Sequence, residues 1–103
     1  MIVKPLAGRA LGVPDGSFVI AEWTEPGGPP GERRLVAPLH VHHHEDEVWY
    51  VLEGALRFQI GDEEIEARAG GAVFAPRGKP HTFWNPSPEP ARYLVVMSRT
   101  PTG

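Results

Sequence analysis

The sequence predicts an all-β fold made of short strands, on the strength of three observations. The 103 residues include 12 glycines and 12 prolines, which interrupt the chain too often for long helices. Short apolar runs recur between turn residues at roughly the 8–12-residue spacing of β-sandwiches and barrels. No segment has sustained helical periodicity. The length is near the commonest domain size, so we expect residues 1–103 to form one domain.

The first half of the chain divides into three predicted strands. Residues 2–13 form a leading edge strand, and residues 14–16 (Pro-Asp-Gly) form a turn, because proline presets φ and glycine accepts a positive φ. Residues 17–24 form the second strand, with the side chains of odd and even positions on opposite faces. Residues 25–32 combine proline and glycine and therefore form a loop. The third strand covers residues 33–42 and carries two histidines.

The second half contains six further predicted strands. The run over residues 48–52 is apolar at every position, which indicates a strand covered on both faces. A hairpin closed by Gly61 and Asp62 joins the next two strands. The two hairpin strands are expected at residues 55–60 and 63–68. The remaining three strands are expected at residues 72–75, 81–84 and 91–98. Residues 99–103 are expected to fray.

Composition excludes several classes of protein. The chain has no cysteine, so disulfide frameworks and thiolate metal sites are excluded, and a bound metal must take nitrogen and oxygen ligands. The net charge of −3 provides no basic surface for nucleic acid. No apolar run approaches the roughly 18 residues of a membrane span, and no signal peptide is recognisable. We therefore predict a cytoplasmic protein without nucleic-acid or membrane partners.

One polar stretch carries the candidate chemistry. Residues 38–47 have the sequence PLHVHHHEDE. On an extended strand alternate side chains share a face, so His40 and His42 point the same way, and Glu47 can reach that side from the next strand. Two imidazoles and a carboxylate suit a first-row transition metal. Taken alone, the stretch also fits a solvated, histidine-rich loop.

A second stretch favours the metal interpretation, because the two together resemble the paired motifs of the cupin family. The first motif, over residues 38–54, is matched by His40, His42, Glu47 and Gly54. The second motif, over residues 70–85, is matched by Gly70, Pro76, Gly78, His81 and Asn85. The 15 residues between the motifs resemble the short spacing of compact, single-domain members. The sequence departs from the first motif at Arg34, where the motif has a glycine. This glycine serves a turn, so its replacement affects the expected geometry of the loop and not the metal site.

The resemblance implies a fold, a cofactor and a ligand set. The implied fold is the jelly-roll barrel, also called the double-stranded β-helix. The implied cofactor is one divalent transition metal per chain: Mn, Fe, Co, Ni, Cu or Zn. The implied metal ligands are His40, His42, Glu47 and His81. Four protein ligands would leave two positions of an octahedral shell for water, substrate or dioxygen.

Three functions remain open at this point. The first is an enzyme, similar to a dioxygenase or an isomerase, that acts on a small oxygenated organic molecule, with Glu47 as the catalytic base. The second is a non-catalytic sensor or binding module that holds a small ligand in the same cavity. The third is a sugar isomerase or epimerase, for which only Arg57, Arg77 and Lys79 offer a phosphate clamp. A complete ligand set with open positions favours the first.

The neighbouring residues have weaker claims to a role in chemistry. His43 is expected in solvent and His44 is a lesser candidate ligand, while residues 45–46 are expected to cover a solvated turn. Asn85 is expected to hold its loop through side-chain to backbone bonds. Trp49 and Phe83 share the strand parity of the ligands Glu47 and His81, and we expect them to line the cavity.

A second subunit is also expected. The runs over residues 48–52 and 93–97 are apolar on both strand faces. One face of each run can fill the barrel, and the other face needs a cover. With few residues left for helices, the simplest cover is another copy of the chain. We therefore predict a homodimer with an isologous interface.

Overall fold

The computed structural model describes residues 5–13, 15–29, 31 and 33–98. Within this part of the chain all regular structure is β, and no helix is long and apolar enough to span a membrane. The cytoplasmic location stays a prediction. The strands are β1 (Ala10–Leu11), β2 (Phe18–Glu25), β3 (Leu35–His40), β4 (Glu47–Glu53), β5 (Ala55–Ile60), β6 (Glu63–Arg68), β7 (Ala72–Ala75), β8 (His81–Trp84) and β9 (Ala91–Ser98).

The strands form two antiparallel sheets. One sheet has five strands in the order β1-β2-β9-β4-β7, and the other has four in the order β3-β8-β5-β6. The chain crosses from one sheet to the other at six of its eight connections, between β2 and β3, β3 and β4, β4 and β5, β6 and β7, β7 and β8, and β8 and β9. This winding is a double-stranded β-helix, so the predicted fold class is confirmed.

Five of the nine predicted strands agree with the structure in both bounds, those at residues 17–24 and 48–52 differ by one residue at each end, and the first and third differ more. The strands predicted at residues 55–60, 63–68, 72–75, 81–84 and 91–98 have these bounds. The leading strand shrinks to the two residues of β1, and residues 2–4 of that prediction lie outside the described residues. The third strand stops at His40 after two register shifts against β8, so His42 lies beyond it. Pro14 and residues 99–103 also lie outside the described residues.

The hydrophobic core lies between the two sheets. Alternate residues of β4 and β5 enter it, among them Trp49, Leu56 and Phe58, each at most 1% exposed. The aromatic rings of Trp49, Phe58 and Phe83 pack with centroids 5.1–5.6 Å apart. Such alternation is what a sheet with one buried face requires. The core fixes the spacing of the sheets and therefore the width of the space between them.

Two glycines of the predicted motifs sit in turns with positive φ but in different surroundings. Gly54 has φ +77°, and a Cβ there would lie 2.7 Å from the carbonyl oxygen of Pro90 and 3.0 Å from Cα of Ala91. Gly70 has φ +89°, and no atom lies within 4 Å of the position that its Cβ would take. Gly54 is therefore needed both for its φ and for close approach of the chain before β9, whereas Gly70 is needed for its φ alone.

We predict that Gly54→Ala destabilises the protein more than Gly70→Ala. Both variants place alanine in the left-handed region, at a cost of about 1–2 kcal/mol. Gly54→Ala must also displace the backbone at the start of β9, and we expect it to lower the free energy of unfolding by about a further 1 kcal/mol or more. Urea unfolding of both variants and the unmodified protein measures the difference. Equal losses would contradict the close approach at Gly54.

Candidate metal centre

Four side chains of the predicted ligand set meet at one end of the space between the sheets. One ligand atom from each of His40, His42, Glu47 and His81 lies within 4.8 Å of all the others. Nε2 of His42 is 3.2 Å from Nε2 of His40 and 3.4 Å from Oε1 of Glu47. Nε2 of His81 is 3.3 Å from the same carboxylate oxygen. Three nitrogens and one oxygen therefore face a common centre.

Both sheets contribute to this cluster. His40 is the last residue of β3 and pairs across the sheet with His81, the first residue of β8. Glu47 is the first residue of β4, which belongs to the opposite sheet. His42 lies in the connection between β3 and β4. Its position therefore depends on how that connection turns, and not on the strand alternation that the sequence suggested.

The rings of His40 and His81 are oriented by backbone carbonyls. Nδ1 of His40 lies 2.6 Å from the carbonyl oxygen of Pro38, and Nδ1 of His81 lies 3.2 Å from that of Lys79. A carbonyl accepts only, so each Nδ1 carries the proton and donates it. Nε2 of each ring then presents a lone pair to the centre. This is the arrangement that metal-bound histidines use to fix their tautomer.

A carboxylate plays the same part for His42. Oε2 of Glu45 lies 3.3 Å from Nδ1 of His42, which leaves Nε2 of that ring to face the other ligands. The sequence pattern indicated a solvated turn at Glu45, but in the structure its half-buried carboxylate faces the imidazole of His42. The only sequence signal was an acidic residue three positions after a candidate ligand, which is too common to be diagnostic.

The donor set fits a metal ion on physical grounds. Glu47 is 8% exposed and His81 is 2% exposed. Among the described residues, Oε1 of Glu47 and Nε2 of His81 are fully buried without an assigned hydrogen-bond partner, and they lie 3.3 Å from each other. A buried polar atom without a partner costs about 1–3 kcal/mol. A cation between the two atoms would satisfy both, and imidazole with carboxylate suits a divalent transition metal.

Glu47 also changes the acid–base behaviour of its neighbour. The Glu47 carboxylate raises the pKa of the His81 imidazole above its ordinary value, burial of the ring opposes the change, and the carbonyl of Lys79 adds to it. In the metal-free protein a proton is therefore held more firmly on His81 than on a free imidazole. A metal must displace that proton, so metal binding is expected to weaken as the pH falls.

The loop between β7 and β8 fastens the two motifs together. The guanidinium of Arg77 donates to Asp46 with Nη2 3.0 Å from Oδ2, and the backbone N–H of Arg77 donates to Oδ1 at 2.8 Å. The next residue, Gly78, donates its N–H to the carbonyl of His42 at 2.7 Å. Arg77 lowers the pKa of the Asp46 carboxyl through these bonds. Asp46 therefore anchors the loop that leads to His81, a role that the sequence analysis did not assign.

The lesser candidates are placed outside the cluster. His43 and His44 are exposed, and neither belongs to the group of converging side chains. Asn85 holds its loop as expected, because its amide donates to the carbonyls of Glu25 and Glu89 at 3.2 and 2.7 Å. Its own side-chain oxygen accepts a bond from the backbone of Ser87 at 3.0 Å.

A cavity of about 490 Å³ opens beside the centre. Glu47 is the one member of the ligand cluster in its wall among the residues described. Trp49 and Phe83 also line it, which confirms the expectation from strand parity. The remaining wall comes mainly from the inward residues of β2 and β9. The cavity volume lies within the range of small-molecule sites.

A family model described as "Cupin domain" matches residues 29–97, a span that includes all four clustered side chains. The crystal structure of TT1209 from Thermus thermophilus has 35% sequence identity and a TM-score of 0.66, and the match covers 82% of this chain and 75% of that one. A sugar phosphate isomerase from Silicibacter pomeroyi has 31% identity and a TM-score of 0.68, over 84% of this chain and 53% of that one.

A curated relative is much longer than this chain. Mannose-1-phosphate guanylyltransferase 2 of Escherichia coli O157:H7 is 32% identical over 60 residues, which are 58% of this chain and only 12% of that enzyme. The chain therefore spans a small part of that relative. The similarity supports a shared domain, and the activity of the whole enzyme belongs to a much larger protein.

We predict that His40→Ala, His42→Ala and His81→Ala each reduce the bound metal by at least about tenfold, because each removes one of four converging donors. His43→Ala is the matched control, since His43 is exposed and outside the cluster. Elemental analysis after gel filtration measures the metal, and thermal unfolding follows the stability lost with it. The same metal content in all three variants and the control would contradict the proposed ligand set.

Proposed function

The chain belongs to the cupin family, and we propose that it is a single-domain, transition-metal-dependent enzyme that acts on a small oxygenated organic molecule. The observation that carries this proposal is the convergence of three imidazole nitrogens and one carboxylate oxygen beside a ligand-sized cavity. A purely structural barrel has no need for two buried polar atoms without partners. The proposed metal ligands are His40, His42, Glu47 and His81.

The chain's own residues divide the work of such a site. His40, His42 and His81 would hold the metal through Nε2. Their tautomers are fixed by the oxygen atoms that face Nδ1 of each ring. When bound, a divalent transition metal supplies Lewis-acid polarisation of a substrate oxygen or an anchor for dioxygen. The aromatic wall next to the centre, including Trp49, provides an apolar surface beside the reacting atoms.

Glu47 is the proposed catalytic base. Its carboxylate belongs both to the ligand cluster and to the cavity wall, so it is within reach of a substrate in the cavity. A carboxylate at this junction can accept a proton from a substrate carbon or hydroxyl and return it elsewhere on the same molecule. Such a transfer fits isomerisation, and a deprotonated oxygenated substrate is also what a dioxygenase requires.

The alternative is a non-catalytic module that binds a small ligand in the same cavity. One observation favours it: apart from Glu47, the polar side chains of the wall are few. Thr24 is not titratable in the neutral range, and the pKa of Tyr93 is raised far above its ordinary value by burial, then by Glu25 and Glu47. Glu25, the other carboxylate of the wall, lies at the far end of β2. Proton transfer beside the metal centre therefore depends on Glu47, and this residue distinguishes the two functions.

We predict that Glu47→Gln, loaded with excess metal, retains ligand binding and loses turnover by at least about 100-fold. Glutamine keeps the size and a coordinating oxygen but cannot act as a base, a role typically worth 10²–10⁴-fold. The control is Glu53→Gln at the other end of β4, whose exposed carboxylate pairs with Arg92 away from the cluster.

The assay begins with the unmodified, metal-loaded protein. Oxygen consumption on phenolic and diketone substrates, and isomerisation of hexose phosphates, identify a turnover to measure. Full activity of metal-replete Glu47→Gln would show that Glu47 is a ligand only. Absence of turnover on every substrate, with ligands still binding, would favour the binding module.

We also propose a homodimer formed through the five-stranded sheet. The inward residues of this sheet fill the core, and its other face is apolar and only partly covered: Tyr50 is 42% and Phe74 is 56% exposed. The register aligns these side chains into a continuous patch, because Val48 pairs with Phe74 on one side and with Val96 on the other. We call this patch the outer face; it comprises Ile20, Val48, Tyr50, Phe74, Leu94 and Val96.

We predict that Phe74→Arg converts the dimer to a monomer, because it places a charge at the centre of an apolar interface. Ile65→Arg is the control, since Ile65 is a similarly exposed apolar residue on β6 of the opposite sheet. Light scattering at micromolar concentration gives the mass of each. A monomeric mass for the unmodified protein would overturn the proposed assembly.

A further inference from the structure

We propose that the cavity takes an uncharged, largely apolar molecule that is aromatic in part and carries the metal-binding oxygens at one end. The inference rests on the proposed function, because the metal centre supplies the polar end of the site. It goes further in naming the class of ligand. It also excludes sugar phosphates, the compounds named for one similar structure and for one curated relative.

Cross-strand pairs of apolar side chains make one wall of the cavity. Val19 pairs with Met97 and Ala21 with Val95, and all four residues line the cavity. The next inward pair along the same strands brings two aromatic rings opposite each other, those of Trp23 and Tyr93. A ligand with many hydroxyl groups would lose hydration against this wall without gaining partners, at a cost for each unsatisfied group.

Aromatic side chains form the buried part of the cavity wall. Trp49 and Phe83 form the inner side, with ring centroids 5.5 Å apart, and the ring of Tyr93 packs edge-on to Phe83 at 5.6 Å. With Trp23, four of the lining residues carry π faces. These surfaces favour a planar or aromatic ligand, which gains stacking and apolar contact in the same orientation.

The charges in the wall have one sign. Glu47 lines the metal end, and Glu25 lies at the far end of β2, two residue pairs beyond Trp23 and Tyr93. Among the lining residues that the structure describes there is no lysine or arginine. At the metal end a bound ion would offset the charge of Glu47. At the far end a phosphate would face Glu25 without a compensating cation among the described lining residues, and like charges at short range oppose binding.

The three cationic residues that the sequence analysis considered as a phosphate clamp lie outside the cavity wall. Arg57 pairs with Glu64 and Glu66 on the four-stranded sheet, at 3.3 and 3.1 Å. Arg77 is bound to Asp46 in the loop that fastens the two motifs. Lys79 is exposed and does not line the cavity. Of these three cations, none faces the cavity.

The length of the cavity sets the size of the ligand. It extends along β9 from Met97, which is level with Glu47, to Tyr93, which is level with Trp23. Four residues of strand span about 13 Å. This length accommodates one ring and a short chelating group.

The test compares two probes on the unmodified protein. Benzoylacetone is neutral and aromatic and carries two chelating oxygens, whereas mannose-1-phosphate is anionic and rich in hydroxyls. Calorimetric titration is done on metal-loaded protein and on protein stripped with a chelator, with metal content measured before and after. We expect benzoylacetone to bind the loaded protein at least about tenfold more tightly than mannose-1-phosphate, a difference of about 1.4 kcal/mol.

A filling variant locates the bound probe. Ala21→Phe adds a ring to the cavity wall, and we expect it to weaken benzoylacetone at least about tenfold with the metal content unchanged. Ala55→Phe, the same change on β5 and outside this cavity, is the control. If Ala21→Phe does not fold, Val95→Met narrows the same wall with less bulk, and the probe comparison on the unmodified protein stands independently.

The outcomes separate this inference from the proposed function. Tighter binding of mannose-1-phosphate, no binding of either probe, or equal loss in Ala21→Phe and Ala55→Phe would overturn the ligand class, and metal retention would leave the proposed function intact. A protein that retains no metal yet binds benzoylacetone in preference would remove the proposed function and support the apolar cavity.

Discussion

The burial of Glu47 against His81 is the constraint on which the rest of this structure depends. A carboxylate and an imidazole lie between the sheets with one atom each fully buried and without a hydrogen-bond partner in the described chain. Such a pair is unfavourable unless something else satisfies it. A metal ion held by these two groups and by the two other histidines of the cluster would satisfy both atoms. Binding of such an ion would then recover the free energy that the unpaired atoms cost.

The two-sheet architecture makes that site possible. His40 and His81 face each other within the four-stranded sheet, and Glu47 reaches them from the five-stranded one. The distance between the sheets is set by the aromatic core, so the ligands are positioned by packing as well as by local sequence. The bonds from the β7–β8 loop to Asp46 and His42 then keep the two motifs in register. Ligand geometry and barrel stability are thus coupled.

The proposed ligand of the cavity differs from the sugar phosphates named for two similar proteins. Similar folds host unrelated reactions, and the site decides which one occurs. Here the metal end is polar, the walls are apolar and aromatic, and the lining charges that the structure describes are negative. A similar structure is that of a sugar phosphate isomerase, yet the cations that would serve a phosphate here are committed to ion pairs or lie outside the cavity. A shared fold therefore need not mean a shared substrate.

The fold class and the positions of most strands followed from the sequence, because alternation and turn residues are local signals. The set of four converging side chains followed from the resemblance of two motifs to the cupin family. Three features became visible only in the folded chain: Glu45 supports His42, Asp46 anchors the loop before His81, and no lysine or arginine lines the cavity among the described residues. Each of these features depends on the path of a loop or on which face of a strand lies toward the cavity. Such contacts join residues whose separation along the chain carries no periodic signal, so the sequence pattern could not reveal them.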